Sequence, residues 1–417
     1  MDKIVVTGGT PLVGQVSISG AKNAVLPILA ATLLTSGKNR ISNVPGVRDV
    51  TTMVHLIRDL GGQIDYFSGD KIVLDSSGIN NPEAPYHLVS TMRASCLVLG
   101  PLLTRLGRAK VSLPGGCAIG ARPIDLHLKA FKAMGAQIEL DGGYICGTAG
   151  KLKGIRYYFD TVTVTGTANV MMAAVLADGE TALENAAKEP EIVFLAEVLN
   201  RAGAKIEGAG NDNIIIQGVP SLKPIDCYIF PDRIEAGTYM IAAAITEGEV
   251  EIANCIPQHL DALILKLREA GVRVEYGADS ITVQSRWPLS AVNVKTQPYP
   301  GFPTDFQAQF MALMTLAEGQ SIIMESVFEN RFMHAAELVR LGADITLEGH
   351  TAIIRGVKKL SGAPVMATDL RASASLVLAG LAAQGQSSIS RIYHIDRGYE
   401  NMVEKLSRLG ADIRRIR

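Results

Sequence analysis

The sequence has 417 residues, of which 47% are hydrophobic and 19% charged, and its formal net charge is −1. A chain of this length and composition can bury a large core and is long enough for two domains. Its near-zero charge excludes a chain-wide basic field, so we expect neither nucleic acid nor a membrane surface as a partner.

The first segment of the chain carries no recognisable targeting or membrane signal. Residues 1–10 read MDKIVVTGGT, without a basic stretch followed by an apolar one. The apolar stretch AVLPILAATLL at 24–34 is shorter than the roughly 20 residues of a spanning helix. Five scattered cysteines form no CxxC pair, which argues against a disulfide framework and a zinc site. We therefore expect a cytoplasmic protein that binds no metal.

A motif of a hydrophobe, glycine, a small residue and a β-type stretch recurs six times along the chain. Its glycines are Gly61, Gly135, Gly203, Gly271, Gly342 and Gly410. They lie about 70 residues apart, which indicates a structural repeat. Each glycine follows an amphipathic helix pattern, such as EIVFLAEVLNRAG, and suits a left-handed position after the helix end. Strands are predicted next, as at 71–75 and in two short stretches within 205–218.

The other half of each repeat begins with a helix that is apolar nearly all round. The stretches are NAVLPILAATLL, RASCLVLGPLL, NVMMAAVLA, GTYMIAAAI, DFQAQFMALM and RASASLVLAGLAA. Helices of this kind must be buried. The predicted fold class is therefore α/β, with a unit of buried helix, strand, amphipathic helix and two strands. Six such units divide naturally into three plus three.

Polar side chains recur at one phase of the repeat, where the buried helices are predicted to begin. They are Lys22, Asn23, Arg93, Asn169, Asp305 and Arg371. Several helix starts that converge with lysine and arginine would form a site for phosphate and carboxylate groups. The dipole disfavours a cation at a helix start, so Arg93 and Arg371 indicate function. Asn23, Asn169 and Asp305, each taken alone, are also explained as ordinary helix caps.

The segment SLPGGCAIGARPIDLH at 112–127 places Cys117 behind two glycines, on a predicted exposed loop. The nearby Arg122 would favour the thiolate, as in reactive cysteines. A small residue in a turn is the alternative, and it is our interpretation of the other four cysteines. A cysteine protease is a second alternative, but its sequence signatures are absent. His127 is better explained as a residue that orients a ligand or caps the following helix.

Blocks along the whole chain resemble the enolpyruvyl transferases, and among them those that act on UDP-N-acetylglucosamine. The blocks are SGAKNA at 19–24, TMRAS at 91–95, LPGGCAIGARPIDLH at 113–127, KEPEI at 188–192, FPDRIEAGT at 230–238, FPTDFQAQ at 302–309, VFENRFMH at 327–334, ATDLRASAS at 367–375 and YHIDRGYE at 393–400. The resemblance implies two inside-out α/β barrel domains, each a threefold repeat of a βαβαββ-type unit with buried helices. Residues 1–21 and 230–417 would form the domain with the catalytic base and clamp. Residues 22–229 would form the domain with the cysteine loop, and the cleft between the domains would be the active site.

The resemblance also implies an activity. The enolpyruvyl group of phosphoenolpyruvate would pass to the 3′-hydroxyl of UDP-N-acetylglucosamine with release of phosphate, as the first committed step of peptidoglycan precursor synthesis, without a cofactor. Cys117 would then be the general acid and Asp305 the base, while Asp369 would support Cys117 and Arg397. We also expect the loop at 112–122 to act as a lid.

The substrate-binding residues follow from the same resemblance. Phosphoenolpyruvate or the closed state would be held by Lys22, Arg93, Arg122, Arg331, Arg371 and Arg397. The uridine diphosphate would be held by Arg122, Pro123, Ile124, Asp125, Leu126, Thr161, Val162, Thr163 and Val164. Asn23 would contact substrate, the Val327 backbone would contact the acetamido sugar, and His127 and Glu189 are less specific candidates. The sequence departs from the family at Thr161 and Thr165, where lysine and glycine are common.

Two alternative functions remain open at this point. An enolpyruvyl transferase acting on shikimate 3-phosphate would share the fold and the phosphoenolpyruvate clamp, but it does not need the CAIGARPIDL segment. A non-catalytic repeat scaffold or ligand sensor would need neither the thiol nor the cations. Alkylation of Cys117 by an epoxide phosphonate such as fosfomycin would distinguish an enzyme from a scaffold.

Overall fold

The computed structural model describes residues 2–113 and 124–416, so the predicted site residues Cys117, Arg122 and Pro123 lie outside the described residues. The α-helices of the described chain are α1 (Lys22–Ala31), α2 (Arg48–Asp59), α3 (Tyr86–Val89), α4 (Leu99–Leu106), α5 (Asp125–Ala133), α6 (Val164–Ala174), α7 (Pro190–Arg201), α8 (Arg233–Ile245), α9 (Asp261–Glu269), α10 (Gln307–Met314), α11 (Met333–Arg340), α12 (Leu370–Ala382) and α13 (Met402–Arg408). Short 3-10 helices span Thr32–Leu34, Arg93–Val98, Pro257–Leu260, Thr304–Phe306 and Ile392–Arg397.

The strands of the same residues follow the predicted repeat. Those before Phe230 are β1 (Lys3–Thr7), β2 (Val13–Ser17), β3 (Lys38–Ser42), β4 (Gln63–Ser68), β5 (Lys71–Asp75), β6 (Glu83–Ala84), β7 (Arg108–Ser112), β8 (Gln137–Asp141), β9 (Tyr144–Thr148), β10 (Arg156–Tyr158), β11 (Glu180–Glu184), β12 (Lys205–Glu207), β13 (Asn213–Gln217) and β14 (Asp226–Tyr228). Those after it are β15 (Glu249–Ala253), β16 (Arg273–Tyr276), β17 (Ser280–Gln284), β18 (Val294–Lys295), β19 (Gln320–Met324), β20 (Asp344–Glu348), β21 (Thr351–Arg355), β22 (Pro364–Met366), β23 (Gln386–Ser390) and β24 (Asp412–Ile416). The strands predicted at 71–75 and within 205–218 are confirmed.

The described strands form six four-stranded sheets with one common topology. The sheet orders are β14-β3-β5-β4, β6-β7-β9-β8, β10-β11-β13-β12, β16-β17-β15-β2, β18-β19-β21-β20 and β22-β23-β1-β24. Each sheet contains one parallel pairing, made by an edge strand, and two antiparallel pairings. In one sheet, for example, Ile252 faces Val16 across the parallel pairing and Ile281 across an antiparallel pairing. The same small sheet therefore recurs in all six repeats.

The described chain divides into two compact units. One unit consists of residues 2–19 and 231–416, and the other of residues 20–113 and 124–230. The N-terminal strands β1 and β2 complete two sheets of the first unit, whereas β14 completes the sheet of β3 in the second. Each unit therefore contains three sheets.

The core of each unit is built from helices that are buried along most of their length. Helix α8 is buried at all 13 of its residues, and it contacts α10 and α12. In the other unit, α6 packs against α1 and α4. The predicted α/β fold of threefold repeats with buried helices is confirmed.

The six repeated glycines end the amphipathic helices or follow their last turn, as predicted. Their φ angles lie between 95° and 107°, a region that side chains with a Cβ rarely adopt. In the described part of the chain, no helix combines the length and hydropathy needed to cross a membrane. The same residues bring together no group of histidine, cysteine and carboxylate side chains that could hold a metal ion.

Two details of the predicted helix starts are wrong. Asn169 lies in the middle of α6, which begins at Val164, so it is neither a cap nor a first-turn residue. The stretch from Arg93 begins as a 3-10 helix, and regular α4 starts only at Leu99. Pro101 explains this boundary, because a proline lacks the N–H that a longer α-helix would use and is tolerated in a first turn.

Candidate active site

Asp305 lies between two buried arginines in the unit formed by residues 2–19 and 231–416. Arg331 Nη2 donates to Asp305 Oδ1 at 3.0 Å, and Arg371 Nη2 donates to Oδ2 at 3.4 Å. The arginine side chains are only 4% and 5% exposed, whereas 26% of the Asp305 side chain is exposed. The Asp305 side chain therefore keeps some access to solvent, while its partners are covered.

Local structure explains this convergence. Asp305 belongs to the 3-10 helix that leads into α10, Arg371 is the second residue of α12, and Arg331 precedes α11. Asp369 caps α12, since its Oδ1 accepts from the backbone N–H of Arg371 at 2.8 Å and of Ala372 at 3.1 Å. The Asp369 carboxylate thus offsets the dipole that would disfavour Arg371 at this helix start.

The electrostatics of the cluster fix its protonation. Burial alone would raise the pKa of Asp305, but the charges of Arg371 and Arg331, with a further contribution from Arg233, hold the pKa far below its usual range. Burial lowers the pKa of the Arg371 guanidinium, but Asp305, Tyr399 and Asp232 together outweigh burial and raise it. Asp305 is therefore an anion, and Arg371 a cation, at any physiological pH.

Two histidines border this cluster. Burial lowers the pKa of His334, which lies in the fields of Asp369 and Arg331 and is therefore neutral near pH 7. Burial and then the charge of Arg397 lower the pKa of His394, while Asp369 opposes them. Arg397 and Asp369 are thus near neighbours of one imidazole, as expected if both act at one site.

The turn at 325–328 is organised by the buried carboxylate of Glu325. Its Oε1 accepts from the backbone N–H of Val327 at 2.8 Å and of Phe328 at 3.1 Å, and its Oε2 accepts from Thr304 at 2.8 Å. The Arg331 guanidinium lies over the Phe328 ring at 5.1 Å. Glu325 therefore ties the Val327 backbone to the segment that carries Asp305.

In the other unit, the predicted residues at the first two helix starts are in place. Lys22 is the first residue of α1, followed by Asn23, and Lys22 Nζ lies 3.0 Å from Asp49 Oδ2. Arg93 opens the 3-10 helix before α4, and its charge contributes to the low pKa of His127. These cations are held at helix starts without an acidic residue in the first turn of either helix.

The two segments predicted to bind uridine diphosphate are joined by side-chain contacts. Lys129 Nζ lies 3.5 Å from Asp125 and 3.7 Å from Asp160, and the Tyr157 hydroxyl donates to the Leu126 carbonyl at 3.2 Å. These contacts join the segment of Ile124, Asp125 and Leu126 to that of Thr161, Val162, Thr163 and Val164. Thr163 caps α6 by accepting from the Gly166 N–H at 3.1 Å.

His127 and Asn169 form a buried network instead of contacting solvent. Asn169 Nδ2 donates to the Cys96 carbonyl at 2.9 Å and lies 3.1 Å from His127 Nδ1, while its Oδ1 accepts from the Gly100 N–H at 2.8 Å. His127 is 2% exposed, and burial, then the charge of Arg93, lower its pKa to about 4. The neutral imidazole and the amide thus join α4, α5 and α6, which is a structural role for both residues. Glu189 is also buried, at the N-cap of α7.

Arg233 and Tyr399 were not selected as site residues from the sequence. Arg233 opens α8 and acts on the Asp305 carboxylate, and the Arg371 guanidinium lies over the Tyr399 ring. Arg233 occupies the same phase of the repeat as Lys22 and Arg371, so this signal was present. The sequence contains no such signal for Tyr399, because only the packing of three helices places its ring against Arg371.

The chain is similar to known proteins along its whole length. The family model described as EPSP synthase (3-phosphoshikimate 1-carboxyvinyltransferase) matches residues 6–406. A protein of Geobacter metallireducens named UDP-N-acetylglucosamine 1-carboxyvinyltransferase is 58% identical over 417 residues, 100% of both chains. A protein of that name from Myxococcus xanthus is 58% identical over 100% of this chain and 99% of its own.

Solved structures give the same picture. The enolpyruvyl transferase NikO from Streptomyces tendae matches with a TM-score of 0.90 and 28% identity, over 99% of this chain and 98% of its own. EPSP synthase from Acinetobacter baumannii matches with a TM-score of 0.77 and 20% identity over 100% of both chains, which shows a shared fold.

Proposed function

Because the chain belongs to the UDP-N-acetylglucosamine 1-carboxyvinyltransferases within the EPSP synthase family, we propose that it transfers the enolpyruvyl group of phosphoenolpyruvate to the 3′-hydroxyl of UDP-N-acetylglucosamine and releases phosphate. The observation that carries this proposal is Asp305, a partly exposed carboxylate between two buried arginines. The reaction needs a base for a hydroxyl proton beside cations for a carboxylate and a phosphate, and these groups meet both needs.

Arg331 and Arg371 bind the anionic groups of phosphoenolpyruvate in this proposal. When these anions share the two guanidinium groups, Asp305 loses part of the charge that holds its pKa down, and it becomes a better base. Asp305 then takes the proton of the sugar 3′-hydroxyl as the oxygen attacks C2 of the enol. The low pKa of Asp305 before substrate binds keeps it ionised, and the rise in its pKa on binding lets it accept the proton.

The proton for C3 of the enol comes from Cys117 in this proposal, a residue outside the described part of the chain. C2 becomes electrophilic as C3 is protonated, and a tetrahedral ketal forms. The C–O bond to phosphate then breaks, and the phosphate leaves with the proton that Asp305 took from the hydroxyl. Loss of a proton from C3 to the Cys117 thiolate restores the enol ether and the acid. Asp369 and Arg397, which border His394, support the reacting groups.

We propose that the two domains predicted above contribute different groups to the active site. Residues 1–21 and 230–417 supply the base and the clamp for phosphoenolpyruvate, and residues 22–229 supply Lys22, Arg93, the acid and the segments that bind uridine diphosphate. We also propose a cytoplasmic location, where the product serves as a peptidoglycan precursor, and a lid function for the loop at 112–122.

Phosphate release with two alternative acceptors tests the function. The protein is incubated with phosphoenolpyruvate and either UDP-N-acetylglucosamine or shikimate 3-phosphate, and inorganic phosphate is measured over time. We expect turnover with the UDP sugar alone. Turnover with shikimate 3-phosphate alone would identify the second enolpyruvyl transferase function, and no turnover with either acceptor would support a scaffold.

Variants of Cys117 provide the control for the proposed acid. Cys117→Asp keeps an ionisable proton donor and should retain phosphate release, whereas Cys117→Ser, with a much weaker acid, should lose most of it. Equal activity of the serine variant and the unchanged protein would contradict proton donation by this residue.

A further inference from the structure

The Arg371 guanidinium is supported from a second side by an aromatic ring. Its central carbon lies 5.3 Å from the centroid of the Tyr399 ring, within the range of a cation–π interaction. Burial lowers the pKa of Arg371, and Asp305 and then Tyr399 oppose burial and raise it. Tyr399 is 3% exposed, so this contact lies in the core.

Tyr399 contacts all three inner helices of its unit, two through its hydroxyl and one through its ring. It lies 2.9 Å from Thr238 Oγ1 on α8, and it accepts from Gln309 Nε2 on α10 at 3.2 Å. Arg371, on α12, lies over the ring of the same tyrosine. Thr238 and Gln309 are fully buried, so the hydroxyl of Tyr399 gives their polar atoms a partner where water is absent.

The Tyr399 hydroxyl keeps its charge state during the proposed reaction, whereas the Asp305 carboxylate does not. Asp305 changes its charge when it takes a proton, and the anions of phosphoenolpyruvate compete for the same guanidinium. Burial raises the pKa of Tyr399, so its hydroxyl stays neutral throughout the cycle. The support from Tyr399 therefore remains constant while the interaction between Arg371 and Asp305 is remade.

We propose that Tyr399 is a positioning residue that fixes the Arg371 guanidinium through its ring face and its hydroxyl, so that Arg371 meets phosphoenolpyruvate in one orientation. This role rests on the proposed function, because Arg371 is taken to bind phosphoenolpyruvate. It adds a residue to the site that touches no substrate itself. The ring attracts the Arg371 guanidinium, and the hydrogen bonds of the hydroxyl fix the orientation in which the guanidinium is held.

The test compares two tyrosines of the same core. Tyr399→Phe removes the hydroxyl from the network but keeps the ring. Tyr239→Phe is the matched control, since Tyr239 is 1% exposed on α8 and its hydroxyl has no hydrogen-bond partner among the described residues. For Tyr399→Phe we expect kcat/KM for phosphoenolpyruvate to fall roughly 10- to 100-fold, because small misplacements of a positioning group are costly. The KM for UDP-N-acetylglucosamine and the activity of Tyr239→Phe should not change.

A crystal structure of each variant gives a readout that does not depend on the reaction. In Tyr399→Phe we expect Arg371 to leave its place beside Asp305, and in Tyr239→Phe we expect the 3.4 Å contact to persist. An active unchanged protein, with Tyr399→Phe equally active toward phosphoenolpyruvate, would overturn the role of Tyr399 but not the function. An inactive unchanged protein would overturn the function, and the crystal structures would then still decide whether Tyr399 positions Arg371.

Thr238→Val offers a second test if Tyr399→Phe does not fold. It removes one partner of the hydroxyl and keeps the shape of the side chain. We expect a smaller loss of kcat/KM for phosphoenolpyruvate in the same direction, again without a change in KM for the UDP sugar. A loss that is equal for both substrates would indicate general damage to the core and would count against the proposal.

Discussion

Asp305 is held by two buried arginines, and this pairing sets what the carboxylate can do before substrate arrives. A carboxylate with so low a pKa remains charged but is a weak base. Substrate anions that bind Arg331 and Arg371 would therefore both fill the clamp and raise the basicity of Asp305. The same contacts would link binding to chemistry at one residue.

His127 provides a prediction at the same scale. Its native pKa is about 4, against an ordinary value of 6.5, because burial disfavours the charged ring. The neutral ring therefore contributes stability that is fully present above about pH 6.5 and is lost as the pH falls through about 4, to a total of about 3 kcal/mol. Urea unfolding at several pH values in this window should show a steep loss of unfolding free energy on acidification.

The matched variant for this prediction is His127→Gln, which cannot gain the proton. We expect a shallower loss of unfolding free energy than in the unchanged protein between pH 6.5 and 4. Parallel pH profiles for the two proteins would show that His127 is not buried in its neutral form.

The sequence predicted the position of a residue well where the residue occupies an equivalent place in several repeats. It predicted the position poorly where the role of the residue depends on packing between helices. Lys22, Arg93 and Arg371 lie at helix starts, as their repeat positions indicated. Asn169 was misplaced because its buried hydrogen bonds come from neighbouring helices, which no local pattern records. Tyr399 was missed for the same reason.

At the scale of the helix, the repeated glycines mark where each amphipathic helix must end. Gly203 has φ of 107°, and a Cβ added there would meet no atom within 4 Å. Its need for glycine is therefore conformational and not steric. Because the space around Gly203 is open, the free energy cost of its backbone conformation can be measured without a steric contribution.

Gly203→Ala should consequently lower the free energy of unfolding by about 1–2 kcal/mol, the cost of a left-handed conformation for a residue with a Cβ. Gly150→Ala is the control, because a Cβ there also meets no atom within 4 Å and its φ is not in the left-handed region. Urea midpoints of the two variants would be compared. Equal stabilities would contradict the backbone explanation of the repeat.

The helix starts were less predictable than the helix ends. A glycine with positive φ acts locally, so sequence alone gives its position. The start of α4 depends on Pro101 and on the packing of Cys96 and Gly100 against Asn169. The proline is visible in the pattern RASCLVLGPLL, whereas the contacts with Asn169 are tertiary and no local pattern shows them.

At the scale of the whole molecule, six similar repeats form two units of three sheets each. The period, the buried helices and the α/β class followed from residue spacing. The pairing of strands that are distant in sequence did not follow from residue spacing. Strand β2 pairs with β15, and β14 pairs with β3, across more than 180 residues of sequence. The first pairing returns the chain to the unit in which it began, and the second completes the other unit. Sequence periodicity contains no information about either pairing.

The central claim is that Asp305 is the base and that Arg331 and Arg371 form the phosphoenolpyruvate clamp. A crystal structure of Cys117→Ser with UDP-N-acetylglucosamine and phosphoenolpyruvate tests it most directly. We predict the sugar 3′-hydroxyl within about 3.2 Å of the Asp305 carboxylate, with both guanidinium groups bound to anionic oxygens of phosphoenolpyruvate. A complex in which the sugar hydroxyl lies away from Asp305, with both arginine contacts to Asp305 unchanged, would contradict the claim.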